Sequence, residues 1–231
     1  MGIKANLERI RDSIHTKEHE LALPHGSVNL VAISKFHSQT EVQEAILAGQ
    51  SIFGENRVQE ATEKFIPLIA EYPQITVHLV GNLQSNKISR IVPVASCIQS
   101  IDRLDLLKPL NRHAQENNKR VEVLFEYHTA EDSKAGFMDD DSVFRAIESC
   151  SELEHIIPMG FMTMAPFTDD KNSIRDSFRK TRKLREACLQ RFPQYSFPVL
   201  SMGMSGDYEI AIEEGSTMVR IGTAIFGERT Q

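Results

Sequence analysis

The chain has 231 residues, 41% of them hydrophobic and 25% charged, with a formal net charge of −6. That is enough apolar material for one large α/β unit, and barrels of roughly 250 residues fold as single domains, whereas the acidic balance leaves no electrostatic footprint for nucleic acid or an anionic membrane. Three widely spaced cysteines, Cys97, Cys150 and Cys188, argue against a disulfide framework and imply reduced thiols in the cytoplasm.

The first 20 residues are punctuated by charge and hold no apolar signal-peptide core. No run approaches the roughly 18 apolar residues of a membrane span. Ile3, Leu7, Ile10 and Ile14 recur at spacings of three and four, which predicts an amphipathic helix over residues 3–20. After the Pro24-His25-Gly26-Ser27 turn, short apolar runs alternate with longer periodic segments. The runs cover residues 28–34, 51–54, 75–81, 96–101, 121–127, 154–161, 197–202 and 217–221. Helices are expected between them. Thr40 precedes residues 41–47 and Gly49 stops them; Asp102 precedes 104–117; Asp141 precedes 143–150. Thr168 and Asp169 open a long basic segment ending near Arg191, and Asp207 starts a helix that Gly215 ends.

Eight strands alternating with helices predict parallel βαβ units. A doubly wound open sheet would alternate too, but it often carries a G-x-G-x-x-G turn after its first strand. Here Lys35 and Phe36 follow instead. Small-residue turns after strands seven and eight match the usual phosphate site of a (β/α)8 barrel. The expectation is one TIM-type barrel domain over residues 1–231 with an extra N-terminal helix that caps or flanks it.

Lys35 sits where the first buried strand opens into a loop, at the barrel face where functional groups collect. A lysine there serves as a Schiff-base amine if partial desolvation favours its neutral form. Far downstream come Ser201-Met202-Gly203-Met204-Ser205-Gly206 and Val219-Arg220-Ile221-Gly222-Thr223. Both turns can aim backbone N–H groups at an anion, and Ser205 is placed to cap the helix near Asp207. A lysine and a phosphate cradle in one barrel point to pyridoxal 5′-phosphate. Arg220 faces the cofactor ring if it points inward and is a solvated charge if outward. Asn56 is a candidate for a ring substituent or a helix cap. Met162, Met164, Met202 and Met204 are candidates for an apolar wall against the ring or for ordinary core. His78, His128 and His155 stand at no metal-ligand spacing, and no metal is expected. There is likewise no G-x-S-x-G elbow and no Walker-type loop.

Ser34-Lys35, Gly54-Glu55-Asn56, Leu83-Gln84-Ser85-Asn86-Lys87, Met162-Thr163-Met164-Ala165-Pro166 and above all residues 200–227 resemble the pyridoxal-phosphate homeostasis proteins. These are single barrels related to the N-terminal domain of alanine racemase. The resemblance runs from about residue 28 to 229. It implies that Lys35 is the Schiff-base lysine, that Ser205, Gly222 and Thr223 hold the phosphate, and that Arg220 lies near the pyridine ring. Three positions depart from the family pattern: Arg57 replaces a tyrosine, His128 an asparagine and Val77 a tryptophan.

The resemblance also frames the choice between enzyme and carrier. Two-base racemisation needs proton donors on both faces of the substrate carbon, and in the related racemases the second is a tyrosine from a separate β-rich domain. The chain ends soon after Thr223, so that domain is expected to be absent, and only Tyr127 stands near a strand end that could face the ring. An arginine at the pyridine nitrogen also makes the cofactor a poorer electron sink. The expected function is a non-catalytic cytoplasmic monomer that buffers or delivers pyridoxal phosphate to apo-enzymes, with Lys64 and Lys134 as candidate secondary acceptors. The alternative is a small racemase or lyase with Lys35 as base.

Overall fold

Every apolar run becomes a parallel strand. The computed structural model describes residues 2–129 and 135–227, and in it the strands close into a barrel in chain order. They are β1 (Asn29–Ile33), β2 (Ile52–Glu55), β3 (Thr76–Leu79), β4 (Cys97–Ile101), β5 (Val121–Glu126), β6 (Ile156–Met162), β7 (Val199–Ser201) and β8 (Met218–Ile221). The seam is β8 on β1, with Leu30 opposite Val219 and Val31 opposite Arg220.

Between the strands run α2 (Gln39–Leu47), α3 (Val58–Glu71), α4 (Ile88–Ile91), α5 (Leu107–Glu116), α6 (Asp140–Ser149), α7 (Lys171–Arg191) and α8 (Tyr208–Glu213). α1 (Ile3–Glu20) precedes the barrel and α9 (Thr223–Phe226) follows it. α1 flanks the barrel and buries Ile3, Leu7, Ile10 and Ile14 among Val42 of α2, Ile212 of α8 and Ile225 of α9. Among the described residues no helix is long and apolar enough to cross a membrane.

Helix starts shift by one or two residues from expectation, because the strongest available cap wins. Ser38, not Thr40, caps α2: its hydroxyl accepts the Glu41 N–H while the Glu41 carboxylate takes the Ser38 N–H at 2.7 Å, the reciprocal pair of a capping box. Asp139, not Asp141, accepts the Ser142 N–H and starts α6, and Asp170 starts α7. α3 has Arg57 at its N-cap with no side-chain hydrogen bond, so nothing in the sequence announces it.

Strand alternation sorts the side chains. Val219 and Ile221 of β8 face the shell of helices, with Ala32 and Phe53. Met218 faces the barrel interior with Val31 and Ile33. A chain of polar groups also fills that interior and spans four strands. Gln99 donates to His78 Nδ1 at 2.8 Å, and Ser201 Oγ donates to Gln99 Oε1 at 2.7 Å. Arg220 continues it by donating to Ser201 Oγ at 2.7 Å. Buried polar groups are stable only when partnered, and these partner one another.

Candidate functional site

A cleft of about 540 Å³ opens at the C-terminal ends of the strands, where parallel barrels collect their functional groups. Lys35, Met204, Ser205, Arg220, Gly222 and Thr223 all line it, so residues 188 positions apart in the chain share one pocket. Asn56 does not line it: half-buried after β2, it stays outside this lining.

Lys35 is held by the residue before it. Every polar group of Ser34 is engaged: its N–H donates to the Gly54 carbonyl, its hydroxyl to Glu55 Oε1 at 2.8 Å, and its carbonyl accepts Lys64 Nζ at 2.7 Å. Lys64 also pairs with Glu55 at 2.7 Å, the lysine side chain 10% exposed and the glutamate 0%. Lys64 is therefore a buried helical strut inside α3, not an accessible acceptor on a loop or helix end. Lys134 lies outside the described residues. Burial raises the Glu55 carboxyl, and Lys64 and Ser34 oppose that rise.

On the far side, the turn after β7 is built by Asp207. Its carboxylate accepts the Met204 N–H at 2.6 Å; Asp207 is the N-cap residue of α8 without a side-chain capping bond, and Ser205 does not cap the helix, whose Tyr208 N–H goes to the Met204 carbonyl. The Asp207 N–H returns to the Met204 carbonyl, and among the described residues the N–H groups of Ser205 and Gly206 donate to no protein acceptor. Gly203 is required here. Its φ is +94°, and a Cβ would lie 2.7 Å from Ala211 Cβ and 2.8 Å from Tyr208 Cα. Gly222 lies close against β1, where a Cβ would meet the Ile33 carbonyl oxygen at 3.0 Å and crowd it.

Arg220 points inward. Its guanidinium donates to the Ser201 carbonyl at 2.6 Å and the Thr163 carbonyl at 2.8 Å. Burial lowers its pKa to about 10, against the attraction of Glu126 and Asp207, so the cation persists at neutral pH. Of the four methionines expected as a wall, Met204 alone lines the cleft. Met162 packs inside the barrel with Cys97 and Leu124, and Met202 sits among the helices.

Several contributors carried no recognised sequence signal. His37 lines the cleft, stacks on Phe226 with centroids 4.8 Å apart, and pairs with Glu41. The segment from Ala165 to Asp169 forms the opposite rim, with Phe167 fully exposed. Glu126, 5% exposed at the end of β5, couples electrostatically to Arg220. Of the positions that depart from the family pattern, Arg57 lies over the Phe36 ring at 5.5 Å, His128 faces the Ala135 carbonyl, and Val77 is fully buried. Tyr127, the one tyrosine expected near the ring, instead donates its hydroxyl to Asp140 at 2.6 Å.

Comparison with known proteins places this geometry. The family described as alanine racemase, N-terminal domain, matches residues 3–230. The pyridoxal phosphate homeostasis protein of Vibrio alginolyticus is 36% identical over 230 residues, covering 99% of this chain and 98% of the relative. That of Aquifex aeolicus is 34% identical over 229 residues, covering 99% of each. PipY of Synechococcus elongatus PCC7942, solved with PLP bound, superposes with a TM-score of 0.86 at 34% identity, over 97% of this chain and all of that one. A closed barrel, its strand-end lysine and full-length similarity converge: the chain belongs to the alanine racemase N-terminal domain family and, within it, to the pyridoxal phosphate homeostasis proteins.

Proposed function

We propose that this protein holds pyridoxal 5′-phosphate on Lys35 and buffers or delivers it in the cytoplasm without turning over a substrate. The cofactor supplies an aldehyde that condenses reversibly with a primary amine, and a phosphate that binds as a dianion. One observation carries the proposal: a lysine at the end of β1 shares a cleft with a turn whose Ser205 and Gly206 N–H groups have no acceptor among the described residues. Free N–H groups beside a glycine that admits close approach suit a phosphate. Gly222 and Thr223 flank that position, and charge-assisted hydrogen bonds there outweigh neutral ones.

The remaining residues orient and shelter the ligand. Arg220, with its donors committed to Ser201 and Thr163, presents a fixed cation that accepts no proton and gives none up at neutral pH. Ser34, clamped on all sides, aims the Lys35 side chain into the cleft. Tyr127 donates to Asp140 and does not line the cleft, which favours carriage over racemisation.

The test is direct. Borohydride should fix the cofactor to the peptide containing Lys35, and Lys35→Ala should lose the bound chromophore. Pyridoxal lacking the phosphate should bind at least tenfold more weakly. An apo-enzyme mixed with loaded protein should gain activity, while a screen of D- and L-amino acids shows no turnover above that of free cofactor. Labelling elsewhere with Lys35→Ala still coloured refutes the lysine assignment; robust Lys35-dependent turnover of one amino acid refutes carriage.

A further inference from the structure

Glu18 lies in the last turn of α1, is 1% exposed, and closes the turn that leads into β1. Its Oε1 accepts the Val28 N–H at 2.8 Å and the Ser27 hydroxyl at 3.3 Å; its Oε2 accepts the Gly26 N–H at 3.0 Å. These three donors fix the carboxylate in direction.

Two imidazoles converge on the same oxygen. His15, one helical turn earlier, places Nδ1 3.0 Å from Glu18 Oε2. His25, from the turn itself, places Nδ1 at 3.9 Å. The ligand atoms of all three residues lie within 4.8 Å of one another, and the two rings stand 4.1 Å apart between centroids. A metal bound at about 2.1 Å to nitrogen and carboxylate oxygen in tetrahedral geometry needs its ligand atoms roughly 3.4 Å apart. The two observed separations from Oε2 bracket that spacing.

We infer that His15, Glu18 and His25 form a binding site for a divalent transition ion of the zinc class, at the end of the barrel opposite the cofactor cleft. Two imidazoles and a carboxylate are a borderline nitrogen/oxygen set, which suits zinc, cobalt or nickel and not magnesium or calcium, whose sites are built from oxygen. Each neutral imidazole coordinates through Nδ1 once its proton sits on Nε2, and Glu18 coordinates through Oε2. The Gly26, Ser27 and Val28 donors then act as the outer shell that orients the carboxylate. Water completes the coordination. The bound ion ties the end of α1 to the turn before β1, so it stabilises the folded chain by mass action. Sequence spacing hides the site because His25 stands outside α1, and no local H-E-x-x-H motif results.

The full-length chain without a polyhistidine tag, stripped with chelator, is titrated with zinc chloride against a chromophoric competitor. The expected result is one saturable equivalent per chain, a thermal midpoint that rises with zinc and not with magnesium, and at least tenfold weaker binding in His15→Ala and in His25→Ala. The His25 side chain is 79% exposed, so His25→Ala keeps the fold, verified by far-ultraviolet circular dichroism. Glu18→Gln is avoided as sole evidence because it also loosens the turn. Cobalt substitution should give visible bands of a nitrogen/oxygen site that disappear in His25→Ala. Absence of saturable uptake, or unchanged affinity in His25→Ala, overturns the site.

Discussion

Replacing Glu126 by glutamine should make the protein more stable, and only above the acid range. Glu126 ends β5 at 5% exposure. Burial, then the charge of Asp102 beyond β4, lifts its carboxyl from 4.5 to about 7, with Arg220 of β8 pulling the other way. Neighbouring β6 presents Met162 in register and adds no charge there. A carboxyl raised by burial stabilises the fold while it keeps its proton. Below pH 4.5 native and unfolded chains both hold the proton; between 4.5 and 7 the unfolded chain gives it up and the native chain does not, so stability falls with rising pH; above 7 the loss is complete. The interval of roughly 2.5 units at 1.36 kcal/mol each amounts to about 3 kcal/mol. Glutamine cannot ionise and escapes this loss. Urea unfolding of both proteins from pH 4.5 to 8 should show equal stabilities at the acid end and an advantage for Glu126→Gln approaching 3 kcal/mol at pH 8, about 6–12 °C in midpoint for a chain of this size. Titrating groups remote from Glu126 cancel in the difference. A difference that does not change with pH, or a variant less stable than the parent at pH 8, refutes the reasoning.

Two further predictions rest on buried groups. Lys64→Met leaves Glu55 buried without its cation, which should cost about 3 kcal/mol near pH 8, less at lower pH where Glu55 takes up a proton; the double variant with Glu55→Gln should recover most of it, and a failure to recover in urea titrations would show that the pair is not the cause. The three cysteines are buried, burial pushes Cys150 and Cys188 up to about 12, and Cys97 is raised as well, so a thiol reagent at pH 8 should label native protein slowly and three groups after denaturation, whereas rapid native labelling of any one would contradict the packing.

The barrel was legible because a two-sided burial requirement writes strands as continuous apolar runs, and each run from residue 28 to residue 221 became a strand. Local capping is written in the sequence and only partly legible there: Asp207 stands three residues from Met204 and is expected at the start of its helix, whereas the expectation of Thr40 misses Ser38 and Glu41, also three apart; the approach of Gly222 to Ile33 across the seam is a contact that no short window contains. Strand parity could have placed Arg220 inside, since Val219 and Ile221 on either side are apolar and face the helices. It could equally have removed Met202 from the expected wall, because that position faces the helices; Met162 faces inward, and its packing against Cys97 and Leu124 keeps it out of the cleft. His37 depends on Phe226, at the other end of the chain, and nothing near His37 foretells it. Lys64 is expected as an accessible acceptor because lysines usually sit at the surface; only the closure of α3 against β1 and β2 brings it to Ser34 and Glu55.

The polar string inside the barrel explains why Arg220 can be a fixed cation at all. A buried guanidinium without partners would pay a desolvation cost that no single carbonyl offsets. Here Ser201 and Thr163 receive it, Gln99 holds Ser201, and His78 holds Gln99. Burial lowers His78 to about 4, so at neutral pH it is uncharged and its Nδ1 is free to accept from Gln99. A protonated His78 would reverse that bond, turn the Gln99 amide, and leave Ser201 Oγ facing a donor. The neutral histidine at the far end of the string therefore keeps the arginine oriented at the cleft. The charge that greets a ligand at the C-terminal face is set by groups packed deep within the strands, on four of them at once.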